Sequence, residues 1–325
     1  MFRSIAAVLV ALSLFFIAAC DQSEPEAPVG EEVEQVEALA VEVADDEPTA
    51  DEETSSTGIE RSLLWRIEGP NEPVWLFGTI HGGVDVSDWE RMPAEVRQAF
   101  EDSELIVLEI DMDEASSPEV QMALASKMIL PEGESLQSKF DDAQWQRLQE
   151  IAPMPAPAMD RLQPWAVFSI ILDGLTGEAE AVDLAIQRRA KNKGKELDYL
   201  ETLEEQLQVL AATIDAAVLA DTVDRYDFHK TRTHELIEAY RLGDADTLES
   251  IVYDAEEMAR FPDSHDLLMV ERNQNWLTSL QDYIERGGVF VAAGVGHFVG
   301  EDSVVTYLEE AGFEISRVSP ADNDQ

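Results

Sequence analysis

The sequence predicts an α/β fold, with α+β as the alternative class: a central mixed sheet, flanking helices and a large helical insertion or cap. Three observations carry this expectation. Short runs of branched and aromatic residues fall near both ends of the folded part, at Leu63–Ile67, Val74–Phe77, Leu105–Ile110, Val289–Ala293 and Phe313–Val318, the composition of strands. Between them, over about 117–286, apolar residues recur at three- and four-residue spacing, as in Leu203, Leu207 and Leu210 or Leu236, Ile237 and Tyr240, which is a helical period. Two of the apolar runs lead directly into glycine-rich turns that carry a histidine. Strands early and late with helices between imply that the two ends of the chain share one sheet.

The chain opens with Arg3, an apolar run from Ala6 to Ala19 and then Cys20. That run is too short to span a bilayer, which takes roughly 20 apolar residues, and it has the layout of a signal peptide over 1–19. Ile17-Ala18-Ala19-Cys20 resembles a lipobox, so Cys20 is expected to be the lipidated first residue of the mature protein. Cys20 is the only cysteine, which leaves none for disulfides or thiolate ligands. The expected location is membrane-anchored, facing the periplasm or cell exterior, and Asp21 favours the outer face of the inner membrane. From Gln22 to Thr57 there is no Lys or Arg, and such acidic, Pro- and Ala-rich sequence cannot offset its ordering entropy. Residues 20–58 therefore read as an acidic tether. The folded domain occupies 59–320, and 321–325 form a flexible tail.

The formal net charge is −46. A surface this acidic excludes nucleic acid and anionic headgroups as partners, since both require basic patches.

The chemistry converges on strand ends. Val74–Phe77 runs into Gly78-Thr79-Ile80-His81, and Val289–Ala293 runs into Gly294-Val295-Gly296-His297, with Gly300 beyond. Ligands bind outside the carboxyl ends of strands in open α/β sheets, so the two imidazoles are expected to be neighbours. Leu105–Leu108 leads to Glu109, and a carboxylate at that depth is costly unless paired or bound to a cation. Two imidazoles and a carboxylate form a ligand shell for a divalent ion with open positions. Taken singly, a strand-end histidine is more often a hydrogen-bonded structural residue, and a lone buried Glu more often pairs with Arg. Neither glycine-rich turn matches a P-loop or dinucleotide fingerprint. His234-Glu235-Leu236-Ile237-Glu238 looks like a zincin helix lacking its second histidine; it reads, with His229 and His265, as solvated or structural histidine.

Taken together and in order, Leu64-Trp65-Arg66-Ile67, Gly78 to His81, Val107-Leu108-Glu109-Ile110-Asp111, Leu162-Gln163-Pro164-Trp165, Leu200-Glu201-Thr202 with Glu205-Gln206-Leu207, Gly243-Asp244, Glu271-Arg272-Asn273, and Gly294 to His297 with Gly300 resemble the TraB/GumN family. That family includes the Tiki-type metalloproteases and is similar in fold to haem-binding ChaN-like proteins. The resemblance implies a site of His81, His297, Glu109 and Glu201 holding a divalent metal, manganese or a similar ion. His81, His297 and Glu109 are then ligands, with Glu201 a fourth ligand or the base that takes a proton from bound water, and swapping the two Glu roles fits equally well. By itself Glu201 could simply precede the helix that Thr202 and Glu205 open with a capping box. Arg272 is expected to pair with those acids or with a substrate carbonyl. Asn273 orients a ligand or caps a turn, and Trp165 contributes packing or a substrate platform. The implied activity is a metal-dependent, peptidase-like hydrolase acting on a peptide or envelope protein. The alternatives are a non-catalytic haem-, metal- or peptide-binding envelope protein and a degenerate scaffold.

Overall fold

The computed structural model describes residues 58–115, 118–177 and 179–318. The signal peptide, Cys20, the tether up to Thr57 and the tail lie outside the described residues. Six strands form one mixed sheet in the order β4-β3-β5-β2-β1-β6: β1 (Leu64–Ile67), β2 (Val74–Thr79), β3 (Leu105–Leu108), β4 (Glu196–Tyr199), β5 (Val289–Gly294) and β6 (Ile315–Arg317). As expected, the first and last strands share it.

Four adjacent strands, β4-β3-β5-β2, are parallel. β5 pairs with β2 from Val74↔Val289 to Thr79↔Gly294, and β3 pairs with β5 on its other side. Every residue of β3 and β5 is buried, the continuous apolar signature of parallel strands covered on both faces. β1 runs antiparallel to both β2 and β6 and closes one side of the sheet.

The middle of the chain is mostly helical, with one exception. Glu196-Leu197-Asp198-Tyr199 forms β4, parallel to β3. It alternates exposed and half-buried residues, as an edge strand does. Four residues bounded by helices escape a search for continuous apolar runs, but the two-residue alternation and the left-handed helix stop at Gly194, φ 67°, were both signals for it. Charge guards this edge: Arg286 pairs with Glu196 at 2.7 Å, and the Tyr283 hydroxyl donates to Asp198 at 2.8 Å.

Among the helices, six bear on the site: α1 (Ala94–Asp102), α2 (Pro164–Thr176), α3 (Val182–Lys193), α4 (Leu203–Thr213), α5 (Tyr226–Leu242) and α6 (Glu271–Arg286). α2 is buried along nearly its whole length. α4 starts at the predicted capping box, with the Thr202 hydroxyl accepting from Glu205 N–H and the Glu205 carboxylate accepting from Thr202 N–H. α6 buries the stripe Arg272, Asn273, Trp276, Leu280 and Ile284 and follows directly on a turn of π-helix at Asp266–Val270. Such turns widen a helix and occur often at functional sites. No single helix among the described residues is long and apolar enough to cross a membrane.

Candidate functional site at the carboxyl ends of the parallel strands

Four adjacent parallel strands each deliver one residue to the same edge. Glu109 follows β3, and Glu201 follows β4. The parallel register continues past the strands, because Leu200 and Glu201 N–H donate to the carbonyls of Leu108 and Glu109, both at 2.9 Å. That pairing sets the two acids side by side. His81 and His297 lie in the turns after β2 and β5. A Cβ on Gly78 would stand 2.9 Å from Val295 Cγ2, so a glycine is needed for the two turns to pack this closely. Gly300, at φ 88°, faces the Tyr253 ring with no room for a side chain. Both motif glycines thus serve close approach.

At the centre is Arg272, with its side chain 4% exposed. Nε and Nη2 donate side-on to Glu201 at 3.0 and 2.6 Å, and Nη2 also donates to Glu109 at 2.7 Å. Nη1 donates to the Leu268 carbonyl at 3.3 Å and faces His297 Nε2 at 3.1 Å. All five guanidinium N–H groups are used. Arg272 is therefore the partner of the two acids and has no donor left over for a substrate carbonyl. Gln206, on α4, donates to Glu109 at 3.3 Å and Glu201 at 3.1 Å, and the Gly294 N–H donates to Glu109 at 2.6 Å.

His297 is locked. Asn273 Nδ2 donates to the Asp302 carbonyl at 2.7 Å, which turns Asn273 Oδ1 toward His297 Nδ1 at 2.6 Å. His297 then carries its proton on Nδ1 and accepts from Arg272 at Nε2. The Trp276 ring lies 4.4 Å from the imidazole. Burial, reinforced by the charge of Arg272, holds His297 well below its ordinary pKa, so it stays neutral. Asn273 has both polar ends committed and acts on the histidine rather than facing a substrate.

His81 is equally buried but loosely held. Its Nδ1 lies 3.2 Å from Asp183 Oδ2, close enough for charge pairing, although the ring N–H is not aligned for a hydrogen bond and Nε2 has no hydrogen-bond partner among the described residues. Burial disfavours its charged form, but Asp183 and then Glu109 outweigh burial and raise the pKa above 6.5. Glu109 is raised too, by burial foremost, against the pull of Arg272. His81 lies within electrostatic reach of Glu109, Arg272 and His297, and Arg272 within reach of all three.

Asp183 and Gln206 received no role in the sequence reading. Asp183 is one of 68 acidic residues and sits in the first turn of α3, where an acid is ordinary. Gln206 stood within a recognised motif with nothing to mark it as a hydrogen-bond donor. Trp165 lies elsewhere: buried at the start of α2, it lines an open cavity of about 720 Å³ with Lys127, Lys139, Leu207 and Ile214. His234 is exposed, whereas His229 and His265 are buried.

The donor chemistry of the site suits a divalent ion in kind and charge. Glu109, Glu201 and Asp183 against one guanidinium leave excess negative charge when both imidazoles are neutral, and His81 Nε2 is a buried ring nitrogen without a hydrogen-bond partner among the described residues. The arrangement differs from the expected four-ligand set in one respect. Arg272 stands where the carboxylates converge, and among the described residues no three His, Cys, Asp or Glu side chains form a ready ion-binding group.

The TraB/PrgY/gumN family model matches residues 63–317. The chain belongs to this family. Similar proteins include Metalloprotease TIKI2 of Danio rerio, 26% identical, with 80% of this chain and 61% of that protein covered. Metalloprotease TIKI1 of Xenopus tropicalis and of Homo sapiens are each 23% identical, with 78% of this chain and 61% of each relative covered. The chain thus matches under two thirds of the length of these relatives. No solved structure matches it significantly. Membership places the paired Gly-x-x-His turns, Glu109, Glu201 and the Arg272-Asn273 pair inside the matched region, and the relatives named as metalloproteases imply a divalent metal in those proteins.

Proposed function

We propose that this TraB-family protein is a peptidase-like hydrolase that uses a divalent ion. The observation that carries the proposal is the convergence, at the ends of four parallel strands, of two acids, two imidazoles and an excess of negative charge around a buried His81 Nε2 that has no hydrogen-bond partner among the described residues. The names of the relatives support the reaction class.

An ion would be held through His81, with His297, Glu109 and Glu201 as the remaining donors to the extent that Arg272 releases them; bound there, it would acidify water and polarise a carbonyl. The chain's own residues have separable tasks. Asn273 fixes the His297 tautomer and leaves Nε2 as a lone pair. Arg272 and Gln206 hold the two carboxylates in position. Glu109, its proton affinity raised by burial, is the acid better matched to accepting a proton from water and passing it to a leaving amine near neutral pH. Phe298, Trp276 and Val295, all buried, keep bulk water from the His297 side.

A haem-binding reading finds less support: the 720 Å³ cavity has neither His nor Tyr among its lining residues. Membrane attachment through Cys20 belongs to the same proposal and rests on residues 1–20 alone. A substrate is accordingly sought among peptides and proteins of the cell envelope. Loss of labelled fatty-acid incorporation in Cys20→Ala is the expected result, and unchanged incorporation would overturn the anchor.

The decisive experiment is metal analysis of the purified protein and of His81→Ala, followed by an unbiased peptide-cleavage profile with manganese and with chelator. About one ion per chain, its loss in His81→Ala, and chelator-sensitive cleavage are expected. Stoichiometric binding without cleavage would overturn the hydrolase reading, and no binding at pH 6 or 8 would overturn the ion.

A further inference from the structure

We propose that Asp183 is the positioning residue for His81: it holds the proton on Nδ1 and so presents Nε2 to the site as a lone pair. The inference rests on the hydrolase reading for its purpose, but its geometry stands independently. Asp183 Oδ2 is 3.2 Å from Nδ1. Both residues are buried, at 8% and 3% exposure, in a region where neither His81 nitrogen has an aligned hydrogen bond. The other charged or titratable groups within electrostatic reach of His81 are Glu109, Arg272 and His297, and Arg272 is hydrogen-bonded to both Glu109 and His297. Asp183 alone belongs to none of those hydrogen bonds.

The backbone is arranged to keep this pair together. Val182 N–H donates to the Ile80 carbonyl at 2.9 Å, so the residue before Asp183 is pinned to the residue before His81. Asp183 lies in the first turn of α3, where the helix N-terminus favours an ionised carboxylate. A carboxylate behind an imidazole fixes its tautomer, orients the ring and raises its basicity as a ligand or base. At 3.2 Å the carboxylate is within reach of Nδ1, with the ring N–H not aligned on it. By comparison, His297 receives the same service from a neutral amide, Asn273, at 2.6 Å. The two imidazoles thus face partners of different charge.

The test reads nitrogen protonation directly. In ¹⁵N NMR of the purified protein, labelled at its five histidines and assigned with His81→Gln, neutral His81 should show a protonated Nδ1 and a bare Nε2. Asp183→Ala should shift the proton toward Nε2, Asp183→Asn should give a mixture, and Asp183→Glu should restore the wild-type pattern in part. Thermal melts identify any variant that fails to fold, and the isosteric Asp183→Asn keeps the comparison available. Manganese alone serves as the second probe, with affinity expected to fall about 10- to 100-fold in Asp183→Ala. An unchanged His81 tautomer in folded Asp183→Ala, or unchanged manganese affinity, overturns the proposal. Should wild-type protein cleave no peptide while the tautomer still responds, the hydrolase reading falls and the positioning role stands.

Discussion

The turn after β2 and the turn after β5 share a sequence pattern and a place in the sheet, yet their histidines are opposites. His297 is wedged between Asn273 and Arg272 with both nitrogens engaged and its pKa held well below 6.5. His81, equally buried, faces an acid, is raised above 6.5 and has no hydrogen-bond partner at Nε2 among the described residues. A Gly-x-x-His motif therefore fixes where an imidazole goes, and the residues packed behind it fix what the imidazole is. The teaching case is Arg272, which lowers both histidines but touches only one.

The largest effect should come from removing that cation. Arg272→Met leaves Glu109 and Glu201 buried without a counter-ion and should cost about 3–5 kcal/mol, the usual result of breaking one side of a buried ion pair. Urea unfolding measures this, and a loss under about 1 kcal/mol would mean that the acids find another partner. In whatever fraction stays folded, His297 should take a proton at higher pH than in the wild type.

Next in size is Asn273→Ala, which strands the His297 Nδ1 proton in the interior and should cost about 1–3 kcal/mol. Its second consequence bears on the comparison: ¹⁵N NMR should show the His297 proton no longer confined to Nδ1, while His81 is unaffected. A change at both rings would show that the two turns are coupled.

A smaller effect, distinguished by sign, is the pH dependence of stability. His81 binds its proton more tightly folded than unfolded, so its contribution is complete below the unfolded value near 6.5 and is lost as pH rises through its higher folded value. His297 binds its proton less tightly folded, so the protein loses stability as pH falls below about 6.5 and the unfolded chain takes up that proton. Unfolding free energies of His81→Gln and His297→Gln, each subtracted from wild type across pH 5 to 9, should therefore slope in opposite directions. Slopes of the same sign would remove the contrast between the turns. Smallest of all, His234→Ala lies on the exposed face of α5 and should change neither the melting midpoint nor manganese binding.

The site was legible in the sequence where chemistry coincides with a strong local pattern. Apolar runs ending in Gly-x-x-His fixed two strand ends, and Glu109 stood out because a carboxylate closing an apolar run demands a partner. Glu201 was visible only through the family resemblance, because its strand, β4, is a half-exposed edge of four residues with too little apolar character to register. With β4 in place the reason is plain: parallel pairing with β3 carries Glu201 to the side of Glu109. Arg272 and Asn273 were legible as a motif, yet the alternatives for each, substrate or neighbour, are settled by donors and acceptors counted in three dimensions.

The sequence by itself determined the α/β class, the strands that carry the two histidines, the helical character of the middle and the family. These follow from periodicity, glycine placement and residue order, all local properties of the chain. Only the tertiary structure decided that Arg272 saturates its five donors on Glu109, Glu201, His297 and Leu268, and that Asp183, 102 residues from His81 in sequence, is the acid beside it. Partner choice among 68 acids and 22 bases is a matter of distance and desolvation. Both arise only once the sheet has brought its strand ends together and excluded water from them.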